Sequence, residues 1–380
     1  MPKIKQAAIL DIGSEKITVL AGGHGINNTI NIKGFGESLY SGFAGGEFLE
    51  PQKLLRAVTR AIEQAEDNMK SRIKELYIGV PSEFCEVRVK ECAISFKLRR
   101  KVNEIDVQEL YLDAPQIDNY TQIGGKPVYY TLDGGNKTLS PVGSSCSQLQ
   151  GLLSFYYADN RFINTFTGML ESLGIKVKFV CAFLAECGVL FDDKQKKYLL
   201  ADIGYITTGV GLYQGDGLLF LNSFSAGGAH IAADLMECLH ISFDLAQKLK
   251  EQIKLNLEVE EDDKYKIEIN DESCEVPMKL SHEIVSARIE QMGTLINGLI
   301  KESGIDIPSY IPLYLSGGGI SYMRGAAAEL SKVLDRNVEV AAPFLPKLNK
   351  PHMSSSVGVL EYALNDIEKQ KKGFWARLFS

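Results

Sequence analysis

The sequence predicts an α/β fold of two related lobes, and three observations carry that reading. An apolar strand closed by Asp-x-Gly and followed at once by a second apolar strand occurs at residues 7–20 and again at 198–213. Strands and helices alternate through both halves, the pattern of sheets covered by helices, and largely parallel sheets are expected. Between residues 82 and 160 the pattern changes to alternating strands with Gly- and Asn-rich turns, the mark of a small α+β domain inserted into the first lobe. At 380 residues the chain is too long for one ordinary core, so two or three domains are expected.

The chain opens with the strand Ala7-Ala8-Ile9-Leu10, the turn Asp11-Ile12-Gly13-Ser14-Glu15-Lys16 and the strand Ile17-Thr18-Val19-Leu20. Pro51 suits the first turn of a helix whose Leu54, Leu55, Val58, Ile62 and Ala65 share one face. A buried strand is expected at 76–80. In the insert, Glu86-Val87-Arg88-Val89 and Val128-Tyr129-Tyr130-Thr131 alternate as strands, with a turn at Asp133-Gly134-Gly135-Asn136. Asn160 is expected to cap a helix that runs to Leu173 and stops at Gly174, and 176–180 returns as a strand. The second half opens with Tyr198-Leu199-Leu200-Ala201, Asp202-Ile203-Gly204 and Val210-Gly211-Leu212-Tyr213. Amphipathic helices follow at 231–239, around Leu245, Leu249 and Ile253, and at 281–304, with an acid-rich solvated strand-and-loop region at 258–272. Ile311-Pro312-Leu313-Tyr314-Leu315 reads as a buried strand, Ser316-Gly317-Gly318-Gly319 as its turn, and 323–334 as a helix. The resulting division is 1–81 first lobe, 82–160 insert, 161–196 return to the first lobe, 197–234 second lobe, 235–310 helical subdomain, 311–367 completion of the second lobe and 368–380 tail.

Composition removes several functions. With 41 basic against 48 acidic side chains the net charge is −7, which makes the chain a poor general binder of nucleic-acid phosphates. The 7 cysteines (Cys85, Cys92, Cys146, Cys181, Cys187, Cys238, Cys274) are scattered with no C-x-x-C pair, which argues against a disulfide framework or structural zinc and favours a reducing cytosol. The 5 histidines show no metal spacing. The first apolar run is closed by Asp11, so no signal-peptide h-region is read, and no stretch approaches the ~20 apolar residues of a spanning helix.

The chemistry sits in the repeated turns. Asp11-x-Gly13-Ser14-x-Lys16 and Asp202-x-Gly204-x-x-Thr207-Thr208 each follow a buried strand, where a tight turn aims backbone N–H groups inward and glycine admits an anion. Ser14 and Thr207 add hydroxyl donors and Lys16 adds charge. An aspartate repels phosphate, so Asp11 and Asp202 make sense if Mg²⁺, through its waters, lies between them and the phosphates. Either turn alone is ordinary strand-end chemistry. The joint case is stronger because the Gly317-Gly318-Gly319 run removes side chains where a base or ribose could lie, and Ala226-Gly227-Gly228 offers another bare approach. There is no G-x-x-x-x-G-K-[ST] and no G-x-G-x-x-G, so neither a P-loop nor a dinucleotide fingerprint is available.

These residues resemble a known group. Ala8-Ile9-Leu10-Asp11-Ile12-Gly13-Ser14-Glu15-Lys16-Ile17 is similar to the first phosphate motif of the actin, Hsp70 and sugar-kinase superfamily. Leu200-Ala201-Asp202-Ile203-Gly204-Tyr205-Ile206-Thr207-Thr208 is similar to its second phosphate motif, and Leu315-Ser316-Gly317-Gly318-Gly319-Ile320 to its adenosine motif. Within that superfamily the chain most resembles the bacterial cell-division family FtsA over almost its whole length. The insert after Tyr77-Ile78-Gly79-Val80-Pro81, the Ser225-Ala226-Gly227-Gly228-Ala229-His230-Ile231 stretch, the Glu283-Ile284-Val285-x-x-Arg288-Ile289-Glu290 helix and the tail all take part.

The resemblance implies a two-lobed actin-like (ribonuclease H-like) ATPase fold with ATP and Mg²⁺ as ligands. It implies phosphate-side and Mg²⁺ contact for Asp11, Gly13, Ser14, Lys16, Asp202, Gly204, Thr207 and Thr208, and nucleoside-side contact for Gly227, Gly228, Gly317, Gly318 and Gly319. It also implies self-association into an actin-like filament, FtsZ as partner through residues 235–310, and a cytoplasmic location on the inner face of the membrane at the division septum. Two departures stand out. Tyr205 and Ile206 occupy places where the second phosphate motif usually has glycines, and Cys181-Ala182-Phe183-Leu184-Ala185 stands where hydrolytic members carry a Glu or Gln. Without a group to orient the attacking water, nucleotide binding with weak or absent hydrolysis is expected. Glu186, one helical turn on, could substitute, but as a core-helix residue it is read as structural.

The tail, 369–380, holds four basic residues, no acidic one and the chain's only tryptophan. At ~100° per residue Phe374, Trp375, Leu378 and Phe379 fall in one arc, flanked by Lys371, Lys372 and Arg377, as in a helix lying in the headgroup layer of an anionic bilayer. A short linker after a helix at 354–367 is expected to keep the body close to the bilayer. The plainer alternative is a terminal helix docked on the protein's own core. Two other functions share the fold: a phosphotransferase or ATPase, which needs a base not evident near Cys181, and a pilus-assembly type of adaptor, whose relatives generally lack a Trp-bearing tail.

Overall fold

A computed structural model describes the backbone of residues 6–25, 29–44, 46–269 and 272–378, with side chains among these as far as Lys369 except at 44 and 272. In chain order the first part holds β1 (Gln6–Ile12), β2 (Lys16–His24), β3 (Ile30–Leu39), the short pair β4 (Phe43–Ala44) and β5 (Glu47–Phe48), α1 (Pro51–Met69) and β6 (Glu75–Val80). Next come β7 (Cys85–Lys101), α2 (Glu104–Tyr111), β8 (Tyr120–Leu132), β9 (Ser145–Asp159), α3 (Asn160–Ser172), β10 (Lys176–Cys181) and α4 (Ala182–Leu190). The second half holds β11 (Lys197–Ile203), β12 (Thr208–Gln214), β13 (Gly217–Phe224), α5 (Gly228–Leu239), α6 (Phe243–Gln252), β14 (Lys264–Ile269), β15 (Glu272–Pro277) and α7 (Met278–Glu302). It closes with β16 (Leu313–Ser316), α8 (Ala326–Leu334), β17 (Val338–Val340) and α9 (Ser354–Leu378).

The two lobes repeat one topology. One sheet has the order β3-β2-β1-β6-β10, the other β13-β12-β11-β16-β17. In each, the first three strands of the lobe run antiparallel and the other two join in parallel. The sheets are therefore mixed, not largely parallel as the alternation of elements suggested. The Asp-x-Gly turns reverse the chain directly, and parallel pairing needs a crossover that only the later strands have. Register repeats as well: Ile12 lies opposite Ile17, and Ile203 opposite Thr208.

Each sheet is buried between helices. In the first lobe α1 packs on β2 and β3, and α9 covers β1, β2 and β6 and lies against α4. Val357, Leu360, Ala363 and Leu364 of α9 are fully buried with Ile9 and Leu20, and Asp366 accepts a hydrogen bond from Tyr77 at 2.8 Å. The second core gathers Leu199, Ile231, Leu249, Val285, Ile289, Ile296, Leu315 and Leu330 from both faces of its sheet. The acid-rich stretch contributes to it, because β14 pairs with β15 and buries Tyr265 and Ile267. Residues 85–159 form the sheet β7-β9-β8 with α2 and a core of their own around Leu110, Leu149, Leu153 and Phe155. This unit also touches the second lobe, where the Leu218 N–H donates to Tyr156 Oη at 3.1 Å.

Several boundaries differ from the sequence reading. Asp159, not Asn160, caps α3, its carboxylate accepting from the Arg161 N–H at 2.7 Å. Gly174 then ends the segment with φ 73°. Helix α7 starts at Met278, and α8 at Ala326 behind Gly325 (φ 92°), so the glycine run leads into a loop rather than straight into a helix N-terminus. Helix α9 continues to Leu378 with no linker after 367. The membrane-facing residues expected in the tail, Lys371, Lys372, Phe374, Trp375, Arg377, Leu378 and Phe379, lie outside the residues whose side chains are described. No helix among the described residues is long and apolar enough to cross a membrane.

Candidate functional site

The two Asp-x-Gly turns are built alike. Gly13 N–H donates to the Lys16 carbonyl at 2.9 Å, and Gly204 N–H to the Thr207 carbonyl at 2.9 Å. They also touch, since the Ile206 N–H donates to Ser14 Oγ at 3.0 Å. The departure at Ile206 has a use, because its side chain packs against the first-lobe core. Between the lobes lies a cleft of about 470 Å³. Asp11, Gly13, Ser14, Lys16, Asp202, Gly204, Thr207, Gly317, Gly318 and Gly319 all line it.

Thr208, Gly227 and Gly228 are placed elsewhere. Thr208 is fully buried and its hydroxyl donates to the Ala226 carbonyl at 2.6 Å, since strand alternation turns it away from the face Thr207 uses. At Gly227 an added Cβ would meet the Gly204 carbonyl oxygen at 2.6 Å, and at Gly228 the Gly319 Cα at 2.9 Å. Their bare backbone seats the start of α5 on the second turn. The glycine run divides its work likewise. Gly317 has φ 79°, and a Cβ there would lie 2.3 Å from Asp202 Oδ1, while Gly319 N–H donates to the Ile203 carbonyl at 2.7 Å. Gly318 is the open one, with only His352 Cβ nearby at 3.3 Å.

The cleft is acidic, because Glu83 and Glu186 join Asp11 and Asp202. Both oxygens of Asp11 are held from the start of α9, by Ser355 Oγ at 2.8 Å and Ser356 Oγ at 2.5 Å. Enclosure by protein pushes Asp11 above its ordinary range, and the two serines and Lys16 oppose that. Asp202 is pushed up by enclosure and then by the charges of Asp11 and Glu83. Glu186 is raised most by burial, then by Asp202, and Glu83 is pushed up to about 7, mainly by burial. The nearby cations do not neutralise this group. Lys16 pairs with Glu37 at 2.8 Å, and Lys250 donates to the Gly228 carbonyl at 3.2 Å. Negative charge gathered without matching cations is an arrangement that can take a divalent cation together with an anion it bridges. No set of three or more acidic, His or Cys side chains among the described residues could hold a metal by itself.

Sequence reasoning missed Glu83, Ser355 and Ser356, and read Glu186 as structural although it lines the cleft. Glu186 sits among the buried first six residues of a short helix, so no polar face marked it. Glu83 could have been noticed as an acidic residue directly after a buried strand and Pro81.

Comparison with known proteins agrees with this architecture. The family model described as cell division protein FtsA matches residues 199–358. FtsA of Bacillus subtilis strain 168 is 21% identical over 379 residues, covering 96% of this chain and 85% of that protein. FtsA of Escherichia coli K12 is 23% identical over 377 residues, covering 93% and 89%. Among solved structures, a PilM-PilN type IV pilus biogenesis complex superposes with TM-score 0.65 at 14% identity, covering 94% of this chain and 98% of that one. MreB5 of Spiroplasma citri bound to AMPPNP gives 0.58 at 10% identity, covering 98% and 99%. The chain has a two-lobed actin-like architecture and is similar to FtsA cell-division proteins over almost its whole length.

Proposed function

We propose that this chain is an actin-like cell-division protein that closes its lobes on one Mg²⁺–ATP, self-associates and holds FtsZ at the cytoplasmic face of the membrane. The observation that carries the nucleotide reading is the contact between the two like-built turns across an acidic cleft. The cleft has the size of small-molecule sites, about 300–1,000 Å³. The glycines keep its floor bare, since a side chain at Gly317 would collide with Asp202. Backbone N–H groups and hydroxyls of the turns would take the phosphates. Asp11 and Asp202 would hold Mg²⁺ through water, and the metal supplies charge neutralisation between them and the phosphates. The open backbone at Gly318 would face the nucleoside.

The remaining parts of the function rest on the similarity to FtsA proteins and on the basic, aromatic tail. Self-association would multiply the weak membrane affinity of single tails through effective concentration. Residues 235–310 are the proposed FtsZ-binding subdomain, and the septal membrane is the proposed location. The test is a MgATP titration of the full chain and of Asp202→Ala, followed by vesicle pelleting with and without residues 369–380. Binding lost in Asp202→Ala and pelleting lost with the tail are expected. Unchanged affinity would remove the cleft assignment, and unchanged pelleting the membrane assignment.

A further inference from the structure

We propose that Glu83 is the proton acceptor of nucleotide hydrolysis in this cleft, an inference that rests on the cleft being an ATP site. Ahead of the second turn, Cys181-Ala182-Phe183-Leu184-Ala185 offers no carboxyl or amide to orient a water. The structure offers a carboxyl from another place, the junction between β6 and β7.

Glu83 is firmly positioned. Strand β6 ends at Val80, and Pro81 leads into a single helical turn, Ser82–Phe84. The next residue, Phe84, is buried in an aromatic cluster, stacked on Phe48 with centroids 5.6 Å apart and 4.9 Å from Phe162. A side chain between a proline and a locked aromatic has little freedom to leave the cleft. Across from it, Thr207 of the second turn points its hydroxyl at Glu83 Oε1 from 3.4 Å. That places the carboxyl beside a turn assigned to the phosphates.

The other cleft carboxyls are less suited. Both Asp11 oxygens accept from serines. Asp202 lies against the Gly317 backbone, where the cation is assigned. Glu186 is almost wholly buried and faces Asp202 and Asp11. Glu83 faces Asp202 from β11 and the Thr207 hydroxyl, and the nearest lysines of the cleft are engaged with Glu37 and Gly228. Among the described residues no cation pairs with it, so its carboxylate stands beside the turn assigned to the phosphates and is placed to take a proton from a water there.

In the step, a water oxygen bonds to the terminal phosphorus of a bound nucleoside triphosphate while the bond from that phosphorus to the bridging oxygen breaks. The bridging oxygen keeps the electron pair and leaves with the nucleoside diphosphate. Glu83 takes the water proton and afterwards returns it to solvent.

The experiment uses the full chain and compares wild type, Glu83→Gln and Glu83→Asp for MgATP affinity, phosphate release across pH, and carboxyl infrared absorption without nucleotide. Glu83→Gln is expected to keep wild-type affinity and lose phosphate release about 10²-fold or more, with Glu83→Asp between them. Wild-type release is expected to rise about tenfold per pH unit and level off above about 7. Asp202 titrates in the same range, so the carboxyl absorption titrating there is expected to be smaller by one group in Glu83→Gln than in the wild type. Undiminished release in Glu83→Gln, or a wild type that binds MgATP and releases no phosphate, overturns the proposal while leaving the ATP site intact. Failure of the wild type to bind MgATP overturns both.

Discussion

Asp11 and Asp202 occupy equivalent places at the ends of β1 and β11, yet their surroundings differ. Asp11 is clamped by Ser355 and Ser356 of α9. Asp202 receives no side-chain hydrogen bond among the described residues and lies beside the bare backbone of Gly317. The two lobes thus carry two copies of one backbone turn, and the elements packed around each copy make them unequal. One aspartate is tied to the helix that continues to Leu378, and the other is left open to whatever enters the cleft. Equivalent topology is therefore a poor guide to equivalent chemistry.

The largest effect is expected at the glycine run. Gly317→Val would drive a Cβ to 2.3 Å from Asp202 Oδ1 and impose a positive φ on a β-branched residue. A loss of about 4 kcal/mol or more in denaturant unfolding is expected. Gly318→Val should fold with a stability loss of no more than about 1 kcal/mol and fail to bind MgATP, because its surroundings are open.

A second effect is a dependence on pH. Glu83 is raised from 4.5 to about 7 in the folded chain, so between those values the folded state holds a proton that the unfolded state has lost. Stability of the nucleotide-free chain should therefore be full below about 4.5, fall as pH rises, and level off above about 7. Glu83 accounts for up to about 3 kcal/mol of this, and Asp11, Asp202 and Glu186 act in the same direction. Thermal unfolding of Glu83→Gln should show a shallower slope over that window.

The smallest effect concerns the clamp. Ser355→Ala and Ser356→Ala each remove one hydrogen bond to Asp11 and should cost about 1 kcal/mol. Hydrogen exchange should quicken in the first turn of α9 and remain unchanged around Asp202.

The parts of this fold that local chemistry decides were legible in the sequence. The paired turns declared themselves because Asp-x-Gly between two apolar runs is a short-range signal, and α1 and α7 because their apolar residues recur at helical spacing. Strand direction was not legible, since alternation of elements does not reveal which strands are joined by tight turns. The Asp11–Ser356 bond spans 345 positions, and the approach of Glu83 to Thr207 spans 124. No local pattern marks either pair. Thr208 was misplaced by a single residue of strand alternation, which suffices to turn a side chain from the cleft to the core.

In the proposed function both turns share one nucleotide. Hydrogen exchange of peptides spanning 11–20 and 202–213, measured at increasing MgATP, addresses it directly. Both turns should gain protection together, at the same MgATP concentration, and lose it together in Asp202→Ala. Protection of one turn alone, or of the two at clearly different concentrations, would contradict a shared site.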